Sequence, residues 1–229
     1  MTTTYLITGA NRGIGLALAR AAASQGHRVI GTARDPGSAD ELGAVTSRIE
    51  QLDADSDGSC RALAARLDSE PIDVLINNAG ISPERSGRLA DFDPEAYLAC
   101  LRTNSVGPLL VTRALLPNLD AGRKKVVVHI SSQMGSLGDA ARDGNTGSLA
   151  YRSSKSALNM AGLLIANELK PRGIACVMMH PGWVRTDMGG SQAPLGPEES
   201  ASRMLATIAT LGAADGGRFM RYDGADLAW

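Results

Sequence analysis

The chain has 229 residues, of which 44% are hydrophobic and 21% are charged, with a formal net charge of -1. This length suits one α/β domain, 1–229, and the charge gives no basic excess with which to bind nucleic acid. Three scattered cysteines and three scattered histidines predict neither a disulfide framework nor a metal site. No segment has the character of a signal peptide or membrane span, so we expect a cytoplasmic protein without a membrane partner.

Short apolar runs alternate with segments of helical periodicity along the whole chain. The predicted strands are Tyr5–Thr8, Arg28–Ala33, Ile49–Leu52, Val74–Asn77, Val126–Ser131, Ala175–His180 and Phe219–Tyr222. The predicted helices are Ile14–Gln25, Gly58–Asp68, Pro94–Arg102, Gly107–Asn118, Ala150–Leu169 and Pro197–Leu211. Continuous apolar strands that alternate with helices predict an α/β fold, in which helices cover both faces of a parallel sheet.

Three polar stretches rich in glycine or proline are predicted to be irregular: Ser82–Asp91, Gly138–Ser148 and Gly189–Pro197. Each follows the carboxyl end of a predicted strand, where open α/β sheets bind their ligands. We therefore expect these stretches to wall a substrate pocket. Their side chains mix apolar and polar groups, which favours a partly apolar substrate. The residues concerned are Arg85, Met134, Leu137, Trp183, Met188 and Leu195.

A glycine-rich turn, Gly9-Ala-Asn11-Arg12-Gly13-Ile14-Gly15, joins the first strand to the first helix. A pyrophosphate needs backbone that approaches closely and a helix N-terminus with free N–H groups. We expect Gly9 to permit the tight turn, Gly13 the close approach and Gly15 the contact between helix and strand. A motif of this kind is sometimes no more than a turn. Its position between the first strand and the first helix makes it a candidate dinucleotide site.

The end of the second strand bears on the choice of cofactor. An acidic residue there would bind the ribose 2′-hydroxyl of NAD, but the sequence has Ala33 followed by Arg34. A guanidinium at that position pairs with the 2′-phosphate of NADP, and Arg12 can reach the same region. NADP(H) is therefore favoured over NAD, the alternative being that Arg34 is a solvated loop residue. Asp53, after the third strand, is a candidate partner for the adenine amino group, although a surface aspartate would look the same.

Tyr151 and Lys155 lie four residues apart at the start of a predicted long helix, which places them on one face. A phenol with a pKa near 10 exchanges protons poorly at pH 7. A nearby ammonium and the positive nicotinamide ring would both lower that pKa and suit Tyr151 to acid/base work. The pair taken alone is commonplace and equally compatible with packing.

Further polar residues follow other predicted strands. Ser132 places a hydroxyl where it can donate to a substrate carbonyl oxygen. Asn104 starts a predicted helix, where it can cap the helix or hold Lys155 through backbone or water. The turn Asn77-Asn78-Ala79-Gly80 is small enough to lie against a flat cofactor.

The sixth strand is followed by a rigid turn, Pro181-Gly182. Beyond that turn, the Val184 backbone and the Thr186 hydroxyl can meet the nicotinamide carboxamide.

These motifs occur together in the order typical of one family. The sequence resembles the short-chain dehydrogenase/reductase family over nearly its whole length, through Thr8-Gly-x3-Gly-x-Gly15, Asn77-Asn-Ala-Gly80, Asn104, Ser132, Tyr151-x3-Lys155 and Pro181-Gly182. Within that family it is most similar to the C-factor/Sniffer-type carbonyl reductases. The stretches that carry this likeness are Tyr151–Asn159, Pro181–Gly190 and Tyr222–Trp229.

The resemblance implies a Rossmann-type, doubly wound sheet of seven parallel strands in the order 3-2-1-4-5-6-7. It implies a catalytic set of Asn104, Ser132, Tyr151 and Lys155. Tyr151 would exchange a proton with the substrate oxygen, while Lys155 would lower the pKa of that phenol and bind the nicotinamide ribose. Ser132 would orient the substrate, and Asn104 would support a proton relay. A homodimer or homotetramer is expected by analogy.

The segment 133–150 departs from the family pattern, because it is longer than in many members. The relative placement of Ser132 and Tyr151 therefore depends on this segment, which can also narrow the substrate entrance or contact a partner.

Three functions fit the sequence to different degrees. The first is an NADPH-dependent reductase of a small aldehyde, ketone or quinone. The second is a signalling or regulatory protein that uses the nucleotide site as a sensor. The third is a sugar epimerase or dehydratase, which usually has a larger C-terminal substrate region than the tail after Gly190.

Overall fold

The fold is seen in a computed structural model, which describes residues 2–82, 89–144 and 146–229. Within these ranges one parallel sheet has the order β3-β2-β1-β4-β5-β6-β7. Its strands are β1 Thr4–Ile7, β2 Arg28–Ala33, β3 Ile49–Gln51, β4 Val74–Asn77, β5 Val126–Ile130, β6 Ala175–His180 and β7 Phe219–Arg221. The seven predicted strands and the implied order are confirmed.

Helices connect the strands and cover both faces of the sheet. They are α1 Gly13–Ser24, α2 Asp40–Gly43, α3 Asp57–Leu67, α4 Pro94–Leu101, α5 Gly107–Ala114, α6 Leu116–Ala121, α7 Leu137–Asp143, α8 Leu149–Leu169 and α9 Pro197–Thr210. A π-helical turn, Arg102–Val106, joins α4 to α5. Among the described residues, no helix combines the length and the apolar character needed to cross a membrane.

Alternate residues of the strands feed two separate hydrophobic clusters. Tyr5 and Ile7 of β1 pack on one face with side chains of α1, α2 and α9. Leu6, between them in sequence, packs on the other face with side chains of α3, α5, α6 and α8. This two-sided burial explains why the strands read as continuous apolar runs.

Two predicted elements are wrong. The predicted helix over 107–118 is broken at Leu115, because Pro117 in the first turn of α6 cannot donate a backbone hydrogen bond to the preceding turn. The stretch 138–148, predicted to be irregular, contains most of α7. Ser136 caps this helix by accepting from Asp139 N at 3.0 Å, and Gly144 ends it in the left-handed region.

The carboxyl ends of β1, β4, β5 and β6 lie along one edge of the sheet because every strand pair is parallel. The glycine-rich turn, the Asn77–Gly80 turn, Ser132 and the Pro181-Gly182 turn therefore meet at this edge. The fold thus gathers four predicted motifs that are far apart in sequence.

Candidate active site

The glycine-rich turn leads into α1 without a side-chain cap on that helix. Gly9 and Gly13 have φ values of 62° and 55°, which favour glycine. A Cβ added at Gly15 would lie 2.3 Å from the Gly9 carbonyl oxygen. Arg12 precedes α1 without a side-chain cap, and the first turn contains no acidic residue. The first N–H groups of α1 are thus available to an anion such as a pyrophosphate.

Thr8 and Asn78 tie this turn to the end of β4. The Thr8 hydroxyl oxygen accepts from the backbone N–H groups of Asn78 at 2.9 Å and Ala79 at 3.0 Å. The Asn78 side-chain amide donates to the carbonyl oxygens of Thr8 at 2.9 Å and Gly9 at 3.1 Å. Sequence reasoning assigned no such role to Thr8, although a hydroxyl directly before the first glycine was visible.

Gly80 lies where the Asn77–Gly80 turn faces two predicted catalytic residues. A Cβ added at Gly80 would be 3.1 Å from Asn104 Oδ1 and 3.8 Å from Lys155 Nζ. The small residue leaves room at the point where these two side chains converge.

Ser132, Tyr151 and Lys155 come together at the carboxyl end of β5. Tyr151 and Ser132 line the same cavity, and the Ser132 hydroxyl by itself lowers the pKa of Tyr151. Lys155 Nζ lies 5.6 Å from the centre of the Tyr151 ring and donates to the Ile130 carbonyl oxygen at 2.8 Å. Ser132 Oγ also accepts from Met134 N at 3.1 Å. A short turn, rather than a long irregular loop, therefore orients the serine hydroxyl.

The pKa of the tyrosine differs in direction from the sequence prediction. Burial raises the pKa of Tyr151 to about 12, and the Ser132 hydroxyl offsets this only in part. Burial also lowers the pKa of Lys155 to about 8. The protein's own residues thus favour the neutral phenol, because desolvation outweighs the stabilisation of a phenolate.

Asn104 is not a helix cap, as one of the predicted roles would require. It lies within the π-helical turn, fully buried, and its amide forms a pair of hydrogen bonds with the backbone of Ile81, at 2.8 Å and 2.9 Å. Its Nδ2 atom is also 3.0 Å from Ser154 Oγ. Sequence periodicity could not reveal the π turn, because the extra residue per turn depends on these tertiary contacts.

The segment after β6 closes the other side of the site. Gly182 has a φ of 90°, and the Thr186 hydroxyl accepts from Gly189 N at 3.1 Å. A Cβ added at Gly13 would lie 3.6 Å from Thr186 Cγ2, so this segment approaches the glycine-rich turn. Thr186 is therefore near the start of α1, and Val184 lines the same cavity as Ile14 of that helix.

A cavity of about 790 Å³ runs between these elements. Seven predicted site residues line it: Ile14, Ser132, Tyr151, Pro181, Gly182, Val184 and Thr186. Met134, Trp183 and Met188 line it as predicted, whereas Leu137 and Leu195 do not. Arg85 lies outside the described residues. Polar side chains also line the cavity. Asp139 and Asp143 belong to the stretch 138–148 that was predicted to wall the pocket, whereas Arg152 and His180 were not predicted.

The residues predicted to select the cofactor lie apart from that cavity. Arg34 and Asp53 are exposed at the ends of β2 and β3. Arg12 approaches Asp187 at 3.5 Å, rather than Arg34, and both of these side chains are largely exposed. Exposed pairs of this kind contribute little stability, so Arg12 can leave Asp187 at low cost.

The described residues contain no cluster of side chains that could hold a metal ion. Cys60, Cys100 and Cys176 are all buried and lie on three different elements.

Comparison with known proteins identifies consistent relatives. Residues 3–194 match the model of the short chain dehydrogenase family. C-signal from Myxococcus xanthus is 44% identical over 169 residues, which are 74% of this chain and 99% of that protein. The structure of the carbonyl reductase Sniffer of D. melanogaster is similar with a TM-score of 0.91, at 34% identity over 100% of both chains.

The NADPH-bound carbonyl reductase from chicken fatty liver has the same TM-score, 0.91, at 33% identity over 100% of this chain and 99% of that one. The similarity to the C-factor/Sniffer type, inferred from three stretches of sequence, is confirmed.

Proposed function

Because this chain belongs to the short-chain dehydrogenase/reductase family of oxidoreductases, we propose that it is an NADP(H)-dependent carbonyl reductase in which Tyr151 is the acid/base. The observation that carries the proposal is that Ser132 and Tyr151 line the same 790 Å³ cavity. Lys155, one helical turn from Tyr151, is buried beside them. A hydroxyl donor and a phenol on the cavity wall, with an ammonium buried beside them, are the groups that carbonyl reduction needs.

The residues of the cavity fit a nicotinamide dinucleotide. The N-terminus of α1, which has no side-chain cap, suits the pyrophosphate, and Ile14, Val184 and Thr186 line the same cavity as Tyr151. When bound, NADPH supplies the hydride. We assign the contacts with the dinucleotide to Gly9–Gly15, Asn78–Gly80, Lys155 and Pro181–Thr186.

In reduction, the Tyr151 hydroxyl donates its proton to the substrate oxygen. Ser132 donates a hydrogen bond to the same oxygen and stabilises the negative charge that develops there. The raised pKa of about 12 keeps the phenol protonated at neutral pH, which favours this direction. Lys155 stabilises the phenolate that remains, and Asn104 holds the backbone of Ile81, which follows Gly80 at the point nearest the lysine.

We propose NADP(H) rather than NAD(H) as the cofactor. Arg34 follows β2 with an exposed guanidinium, where the 2′-phosphate of the adenine ribose would lie. Arg12 would approach the same phosphate after leaving Asp187, and Asp53 would contact the adenine. The similar carbonyl reductase from chicken fatty liver is described as NADPH-bound, which supports the same choice.

The substrate proposed is a small aldehyde, ketone or quinone of partly apolar character. Met134, Trp183 and Met188 give the cavity an apolar surface, while Asp139 and Arg152 add polar groups. This mixture favours a molecule with both an apolar body and a hydrogen-bonding substituent.

The test replaces only the proposed acid. Tyr151→Phe should lower kcat by about 10²- to 10⁴-fold because it removes the proton donor, while the Kd for NADPH stays within about twofold. Turnover is measured with a panel of aldehydes, ketones and quinones, and NADPH binding by fluorescence. Tyr97→Phe in α4, which does not line the cavity, is the matched control. Undiminished turnover in Tyr151→Phe would contradict the proposal.

A second function, a regulatory role with the nucleotide site as a sensor, is favoured by the similarity to C-signal. A sensor needs the nucleotide but no proton transfer. A phenotype that survives Tyr151→Phe and is lost with Gly13→Asp would support sensing. Loss of the phenotype in Tyr151→Phe would support the enzyme.

We also propose that the protein forms a homodimer through α4 and α8. These helices pack together, and they expose Leu98, Met160 and Leu164 to about 60%. Pairing two copies would bury these side chains. Light scattering should give the mass of a dimer for the natural protein and of a monomer for Leu164→Glu. A monomeric natural protein would exclude the dimer.

A further inference from the structure

The N-terminus of α7 receives an unusual cap from the far end of the described chain. The Gly138 N–H, in the first turn of the helix, has no acceptor within α7 and donates to the Trp229 carbonyl oxygen at 2.6 Å. Ser136 Oγ donates to the same carbonyl oxygen at 3.2 Å and accepts from Asp139 N at 3.0 Å. One carbonyl group of the tail therefore organises the start of this helix.

The tail itself is fixed to the edge strand of the sheet. Arg221 N donates to the Ala225 carbonyl oxygen at 2.8 Å, and Leu227 N donates to the Phe219 carbonyl oxygen at 2.9 Å. The Trp229 ring lies 5.4 Å from the ring of Phe219, centre to centre. The tail carbonyl is thus held in place by backbone and ring contacts with β7.

Helix α7 forms part of the cavity wall but has little apolar anchoring of its own. Asp139 and Asp143 line the cavity, and Asp139 is the one buried residue of the helix. Leu137, its largest apolar side chain, is 71% exposed. Since little hydrophobic burial holds α7, its hydrogen bonds to the tail account for a large part of what fixes it.

The fit at Gly138 shows how closely the tail approaches. A Cβ added there would lie 3.0 Å from the Trp229 carbonyl oxygen, tighter than ordinary contact. Gly58 occupies the same second position of α3, after the N-cap Ser56. A Cβ added at Gly58 would meet only Ser56 Oγ, at 3.8 Å. The restriction at Gly138 therefore comes from the tail rather than from the helix position.

We propose that the tail Asp226–Trp229 is a positioning element of the substrate site. Trp229 fixes the position of α7, and with it the position of Asp139 in the cavity wall. Asp139 is held in turn by Gln133 Nε2 at 2.7 Å and Arg142 Nη2 at 3.0 Å. The kinetic part of this inference rests on the proposed reductase function. The structural part, that the tail holds α7, does not.

The experiment compares two ways of breaking one contact. Deletion of Trp229 removes the carbonyl acceptor, and Gly138→Ala crowds that acceptor so that the hydrogen bond must lengthen or bend, with Gly58→Ala as the matched control. Each variant should raise amide hydrogen exchange over residues 137–143 by about five- to tenfold, the effect of losing one or two hydrogen bonds. In the variant that combines both changes, the exchange rate over residues 137–143 should be no more than about twice that of either single variant, because both changes act on the same contact.

Kinetics then test the consequence for the substrate. The KM of an accepted carbonyl substrate should rise about fivefold or more in both variants, while kcat and the Kd for NADPH stay within about twofold. A general loss of folding would instead lower the active fraction and leave KM unchanged. Gly58→Ala should match the natural protein in every readout.

Two results would overturn the inference. Unchanged exchange over residues 137–143 in the deletion variant would show that the tail does not hold α7. Raised exchange with an unchanged KM would show that α7 has no role in substrate binding. If the natural protein turns over no carbonyl compound, the proposed function fails by itself, and the exchange data still decide the structural part.

Discussion

The two ends of the proposed nucleotide site are built in different ways. At the reactive end, Asn104, Ser132 and Lys155 are buried, and each is held by hydrogen bonds within the protein. At the adenine end, Arg34 and Asp53 are exposed, and neither lines the cavity. Buried polar groups must be partnered to be tolerated, whereas exposed charges need no fixed partner. The reactive end is therefore set by the fold, and the adenine end is free to adapt.

This contrast teaches that the two ends should respond differently to substitution. Removal of a buried group disturbs a network in which every remaining partner is left unsatisfied. Removal of an exposed charge costs only that charge's contact with the ligand, and salt screens the contact further.

The largest effect is expected from Lys155→Met at the reactive end. Loss of the buried ammonium should lower kcat by about 10²- to 10⁴-fold, because the phenolate left by proton donation is no longer stabilised. Lys124→Met is the control, since Lys124 Nζ also donates to backbone carbonyls, of Ala209 and Leu211, away from the cavity. Steady-state kinetics with NADPH measure both. A kcat within tenfold of the natural value in Lys155→Met would break the contrast.

Lowering the pH should have a smaller effect, which is a loss of folding stability through His129, buried in β5, and His180, which lines the cavity. Burial lowers the pKa of His129 to about 3 and that of His180 to about 4. Both values are below that of the unfolded chain, about 6.5, so the unfolded chain binds more protons as the pH falls. The free energy of unfolding should therefore drop by roughly 3 to 4 kcal/mol between pH 7 and pH 5, at about 1.4 kcal/mol per pH unit for each imidazole.

Urea unfolding at the two pH values measures this drop. His180→Asn should remove about half of it, because one of the two titrating groups is then absent. Equal stability at pH 7 and pH 5 would show that the two imidazoles are not buried as described.

The smallest effect is expected at the adenine end, from Arg34→Ala. The Kd for NADPH should rise about tenfold, as expected for loss of a charged contact with the 2′-phosphate, and the Kd for NADH should not change. The difference should shrink as salt is added, because the guanidinium is exposed. Arg203→Ala, an exposed arginine in α9, is the control. An equal loss of NADH and NADPH binding would assign Arg34 a structural role.

Sequence reasoning succeeded where local pattern and local contacts agree. The strands carry apolar runs that are buried on both faces, so the sequence predicted their bounds to within one residue at each end. Tyr151 and Lys155 share a helix face because four residues make about one turn. Ser132 was predicted because β5 ends at Ile130 and a pair of serines follows directly, at the edge of the sheet where ligands bind.

The predictions that went wrong depend on partners distant in sequence. Helix α7 was hidden by its glycine-rich surroundings, and the cap that the tail gives it comes from a residue about ninety positions away. The helix cap, one of two roles offered for Asn104, was wrong because its partner, the backbone of Ile81, belongs to another loop. The pKa of Tyr151 was predicted to fall because charge could be read from the sequence and burial could not.

The sequence by itself determined the α/β fold, the family and the residue types of the site, because periodicity and motif order are properties of the chain. Tertiary structure alone decided how deeply each group is buried, which carbonyl group accepts each hydrogen bond and which residues line the cavity. Desolvation and hydrogen bonding depend on distances in space, and the order of residues does not specify those distances directly.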